Sequence, residues 1–212
     1  MDLLSLLILL FVFLFSVSVH EVAHGVMANH LGDPTAKNQG RLTLNPLKHL
    51  DFFGSILVPG LLLLSRVGII FGWAKPVPIN LENIQDKRYG QAKVAVAGPL
   101  ANLAIALFFG LLIRFALIPF SGNEFVVNLI MVMGLFVWVN LILAIFNLLP
   151  IPPLDGSHIL FTFLPPSADR FKLILQRYGL FILLFVMFFC FQWIIPLVKI
   201  IFQLITGQQF GA

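Results

Sequence analysis

Residues 3–24 read LLSLLILLFVFLFSVSVHEVAH, and this stretch decides both the fold and the chemistry. From Leu3 to Val19 no residue carries a charge, and then His20, Glu21 and His24 arrive within five positions. In a helix, residues i and i+4 share a face, so the two imidazoles can be presented to one point. That is the arrangement two zinc ligands need, with Glu21 able to reach water beside the metal without ligating it. In a soluble helix His-Glu-x-x-His is a weak signal, because a solvated polar face explains it. Inside an apolar segment these groups have no water and demand partners.

The remaining composition agrees with a membrane setting. Of 212 residues, 59% are hydrophobic and 10% charged, and the mean hydropathy is +1.00. No soluble domain of this size hides that much apolar surface. The apolar runs are long and continuous, without the ten-residue alternation of a barrel, so the expected class is an all-α polytopic membrane protein. The net charge of +4 sits on dispersed loop residues and makes no nucleic-acid stripe. A single cysteine, Cys190, excludes a disulfide framework or a thiolate metal cluster. The N-terminus lacks a basic region and a small-x-small cleavage site, so it reads as a retained first transmembrane helix.

Taken in order, segment one covers residues 3–31 and stops at Gly32-Asp33-Pro34. Residues 40–45 alternate like a short strand. Residues 52–73 are apolar but broken by Gly54, Pro59-Gly60, Arg66 and Gly68, which suits a re-entrant hairpin. Segments two, three and four are expected at 92–117, 125–149 and 179–201, giving about four spanning helices in one domain, 1–212. Basic residues fall in the loops at 33–51, 74–91 and 165–178, and the 119–124 break has none. The positive-inside rule then puts the N-terminus outside and His24 and Asp155 toward the cytoplasmic face, provided 52–73 re-enters.

A catalytic zinc takes three protein ligands and keeps a fourth position for water. Asp155, near the cytoplasmic end of segment three, is the best third candidate, because the other carboxylates lie in polar loops or on the opposite side. Zinc lowers the pKa of water it holds toward roughly 7, and Glu21 would move the proton to the leaving amine. Pro150 and Pro152 break the chain between Asn147 and Asp155. Broken backbone at membrane depth is tolerated where it lines a cavity, and Asn147 could donate to a substrate carbonyl or its oxyanion.

His20-Glu-Val-Ala-His24 followed by Asn147-x-x-Pro-x-Pro-x-x-Asp155-Gly156 resembles the site-2 protease family, as does Gly98-Pro99-x-x-Asn102. The resemblance implies an intramembrane metalloprotease with one Zn2+ per chain held by His20, His24 and Asp155. It implies Glu21 as the catalytic base and Asn147 as a substrate contact. The expected substrates are transmembrane proteins in a prokaryotic cell membrane, with a regulatory membrane partner. No stretch between the motifs is long enough for the PDZ domain many relatives carry, so the chain is similar to the compact PDZ-less branch.

Blander readings apply elsewhere. Gly98, Pro99 and Asn102 suit a packing and kink element. His158, close to Asp155 and Gly156, is read as a neighbour that supports the ligands. His30 is expected at the interface, His49 in solvent, and the Phe-rich run 181–191 against lipid. The competing functions are a zinc transporter, disfavoured because segments two and four offer almost no polar path, and a non-cleaving protease relative that binds transmembrane helices, disfavoured by the intact Glu21.

Overall fold

The computed structural model describes residues 2–51, 54, 57, 61 and 75–210. Among them are seven α-helices and no β-strand. Four helical segments are long and apolar enough to cross a membrane, at Leu3–His30, Gly90–Phe120, Glu124–Asn147 and Pro166–Phe189. The re-entrant expectation for 52–73 falls almost wholly outside the described residues.

Helix α1, Leu3–His30, is capped by Asp2, whose carboxylate accepts from the Ser5 N–H (2.9 Å). Its 28 residues give a length of about 42 Å, more than a bilayer core needs. Val12, Ser16, His20, His24 and Ala28 are all buried, one residue in four along a single stripe. Leu3, Leu4, Leu7, Leu10 and Phe11 point outward and are exposed. In a bilayer the outward face must be the apolar one, so the stripe with polar groups turns inward. The helix ends at Leu31, and Gly32 takes φ 106°, a turn that other residues adopt only with strain.

A four-residue helix α2, Thr35–Asn38, and a 3-10 turn, Pro46–Lys48, follow. The strand expected at 40–45 does not form. The neighbouring segment that could pair with it begins Lys75-Pro76-Val77-Pro78, and its prolines have no N–H to give to a ladder. Side-chain bonds join the two instead: the Arg41 guanidinium donates to the carbonyls of Lys75 (3.0 Å) and Pro76 (3.3 Å). His49 is buried, contrary to the solvated expectation. The chain curls through the 3-10 turn so that its Nε2 donates to the Thr43 carbonyl (2.8 Å).

Helix α3, Gly90–Leu112, is the centre of the bundle and continues through a π-turn and a 3-10 turn to Phe120. It packs against α1, α4 (Glu124–Asn147), α5 (Asp155–Phe163) and α7 (Phe191–Thr206). Gly98, Asn102, Ala106 and Gly110 recur at four-residue spacing and are buried, so neighbouring backbones approach closely. The apolar core lies between α3, α4 and α7, from Ala106, Ile113, Val137, Leu141, Val198 and Phe202.

The last segment departs from expectation. Helix α6 already begins at Asp169 and runs to Phe185, where the polar loop was expected, and a π-turn at Val186–Cys190 leads into α7. Arg170, Lys172 and Arg177 end loops in a charge count but are good helix formers, and Asp169 complements the first turn. Phe181, Phe185, Phe188 and Phe189 are exposed, as a lipid-facing run requires.

Asp33 fastens the loops after α1 to those before α3. It is fully buried, and its carboxylate accepts from Thr35 N–H (3.1 Å), Thr35 Oγ (2.5 Å), Asn83 Nδ2 (3.0 Å) and Asn80 N–H (2.7 Å). Burial would raise its pKa, but the bonds from Thr35, Asn83 and Asn80 outweigh burial and hold the carboxyl below the usual range. Asp33→Ala leaves these donors unpaired, and thermal denaturation should show a loss of about 1–3 kcal/mol. The folded pKa lies below the unfolded value of about 3.9, so the carboxylate's contribution is complete above that value and fades as pH falls through the folded pKa. The stability gap between the wild type and Asp33→Asn should therefore narrow below about pH 4.

Candidate metal centre and active site

Two turns of α1 carry the histidines, and each ring is gripped from behind. His24 Nδ1 lies 2.8 Å from the Val94 carbonyl, and His20 Nδ1 lies 2.6 Å from Asn102 Oδ1. A carbonyl only accepts, so His24 Nδ1 carries the proton and its Nε2 keeps a lone pair. The two Nε2 atoms face each other at 3.0 Å. Asp155, on the first turn of α5, directs Oδ2 to 3.1 Å from His20 Nε2 and 3.3 Å from His24 Nε2. That oxygen is buried and finds no hydrogen-bond donor. Converging acceptor atoms repel unless a cation lies between them, and these three residues form the described group able to hold a metal.

A cleft of about 380 Å³ opens beside them, lined by Glu21, Pro76, Val77, Gln91, Asn147 and His158 among others. Glu21 Oε2 accepts from the Val77 N–H (2.8 Å), so the extended Pro76–Pro78 segment orients the carboxylate. Asn147 donates one amide hydrogen to the Leu143 carbonyl one turn earlier (2.9 Å). His158 lines the same cleft one turn beyond Asp155, and its Nδ1 accepts from Gln91 Nε2 (2.9 Å).

Residues 115–186, which include Asn147 and Asp155, match the family model described as Peptidase family M50. YwhC of Bacillus subtilis (strain 168) is 41% identical over 175 residues, covering 81% of this chain and 76% of that protein. Rip2 of Mycolicibacterium smegmatis is 32% identical over 175 residues, covering 80% of this chain and 62% of that protein. Both relatives carry the name "Putative zinc metalloprotease". The chain belongs to peptidase family M50. It is a membrane-embedded zinc metalloprotease of the site-2 protease kind. No solved structure matches it.

The donor set of this M50 member fits zinc: two imidazole nitrogens and one carboxylate oxygen, with Asp155 Oδ2 otherwise orphaned. Two glycines make the convergence possible. A Cβ on Gly98 would stand 2.5 Å from His24 Nε2 and 2.7 Å from His20 Nε2, so only glycine leaves the rings their place. A Cβ on Gly156 would run into the carbonyls of Leu148 and Leu149, so glycine also lets the first turn of α5 nest on the end of α4. Pro99 is buried within α3 beside Gly98. The Gly98–Asn102 element thus does more than pack helices: it touches both histidines.

Reading the sequence alone missed Val77, Val94, Gln91, Ser16 and Asn140. The first two act through backbone groups, which no side-chain pattern reveals. Ser16 and Asn140 do leave a signal, as polar residues inside apolar helices that need partners. Gly98→Ala should keep the fold yet push the rings apart, lowering zinc content measured by elemental analysis and reducing turnover by about 10²-fold.

Proposed function

We propose that this protease hydrolyses peptide bonds in or near transmembrane segments of membrane-protein substrates. His20, His24 and Asp155 hold one Zn2+, Glu21 is the base and Asn147 meets the substrate. The observation that carries the reading is the convergence of His20 Nε2, His24 Nε2 and Asp155 Oδ2 within 3.0–3.3 Å of one another, at the wall of an open cleft. When bound, zinc supplies Lewis acidity, which makes a water nucleophilic near neutral pH.

The chain's own groups do the rest. Glu21 accepts the proton of the attacking water on its carboxylate and returns it to the leaving amine nitrogen. The Val77 N–H holds that carboxylate at the cleft in the meantime. Asn147 spends one amide hydrogen on Leu143, and its second remains for a substrate carbonyl and the charge that develops on it. Glu21→Gln should retain zinc while cleavage of a membrane-anchored substrate falls by about 10²–10⁴-fold. Undiminished cleavage by this variant would sink the assignment.

The same reading sets the active site toward the cytoplasmic side of a prokaryotic membrane, with the N-terminus outside. Arg41, Lys75, Lys87, Arg88 and Lys93 support it, since they lie in or next to the loops at the histidine end of the bundle. In a Cys190→Ala background, an impermeant thiol reagent applied to intact cells should label Gly122→Cys and spare Gln39→Cys. The reverse pattern would invert the orientation.

A further inference from the structure

Three polar side chains lie in the middle of the bundle with no solvent: Ser16 on α1, Asn102 on α3 and Asn140 on α4, each fully buried. They form one connected chain. Asn140 Nδ2 lies 2.8 Å from the Phe136 carbonyl and 2.8 Å from Ser16 Oγ. Asn140 Oδ1 lies 2.6 Å from Asn102 Nδ2, which is also 3.2 Å from the Ser16 carbonyl. Asn102 Oδ1 then meets His20 Nδ1 at 2.6 Å.

The chain has a direction, fixed by backbone. Carbonyl oxygens only accept, so the Phe136 carbonyl identifies the amino end of the Asn140 amide and turns its oxygen toward Asn102. The Ser16 carbonyl and that oxygen together claim both amide hydrogens of Asn102. Only the oxygen of Asn102 is left for His20, and an amide oxygen cannot donate. His20 Nδ1 must therefore carry the proton, and its Nε2 presents a lone pair toward His24 and Asp155.

We propose that Asn140, with Ser16, is a positioning residue for the metal ligand His20: through Asn102 it sets the tautomer and the ring orientation in which His20 binds zinc. This rests on the zinc reading of the site and extends it to two residues on neighbouring helices. His24 needs no such chain, because a backbone carbonyl does the same task directly.

The test uses the full-length chain in detergent, with zinc affinity by chelator competition, the absorption spectrum of the cobalt-substituted protein, and the melting temperature. Asn140→Leu keeps the volume and removes the amide. It should weaken zinc binding by about tenfold or more and alter the cobalt spectrum. Asn140→Asp, neutral when buried, still offers an oxygen to Asn102 and a donor to Phe136 or Ser16, and should restore affinity to within about threefold of the wild type. An Asn140→Leu protein with wild-type affinity and spectrum, changed only in melting temperature, overturns the proposal and leaves Asn140 a packing residue. Should Asn140→Leu fail to fold, the smaller Asn140→Ala decides: zinc binding weaker by about threefold or more with a shifted cobalt spectrum supports the proposal, and no change in either overturns it. A wild-type chain that binds neither metal overturns the zinc reading, and this inference with it.

Discussion

The meeting of His20, His24 and Asp155 is the constraint on which the molecule is built. Three acceptor atoms stand about 3 Å apart in a bundle whose outer surface is hydrocarbon-facing. Such a cluster is unfavourable without a cation and impossible to hydrate from the lipid side. Each histidine is therefore locked by a second contact, His20 by Asn102 and His24 by Val94, while Asp155 stands on the first turn of α5. The helices cannot slide against each other without breaking one of these contacts. Register and chemistry are set together.

Small residues make the arrangement geometrically possible. Gly98 lets α3 press against both imidazoles, and Gly156 lets α5 start directly under the end of α4. The apolar core of Ala106, Val137, Leu141 and Val198 lies further along the bundle from the two histidines. The polar half of the interior supplies specificity through paired hydrogen bonds, and the apolar half supplies packing. The loops complete the site from outside the helices. Asp33 binds Asn80 and Asn83, and so helps fix the segment whose Val77 N–H holds Glu21.

Much of this was legible in the residues. Helix-forming runs in a bilayer must be apolar outside, so the first three spanning segments could be placed within a few residues. The spacing of His20 and His24 set a shared face, and the resemblance named Asp155, Asn147 and Glu21, which the fold brings to the same cleft. The misreadings have local physical causes. Residues 40–45 alternate like a strand, but a strand needs a partner with N–H groups, and Pro76 and Pro78 have none. The charges of 170–177 looked like a loop and ride on a helix. His49 looked solvated because its burial comes from a turn that brings Thr43 back over it.

By itself, the sequence determined the class of environment and the residues able to bind a metal, because hydropathy and side-chain chemistry are local properties. The tertiary structure alone decided how those residues are held. Asn140 reaches His20 through a residue on another helix, and Val77 reaches Glu21 across 56 positions of chain. The Val94 carbonyl that orients His24 belongs to no motif at all. Hydrogen bonds between helices depend on register and rotation, and those emerge only when every buried polar group finds its partner at once.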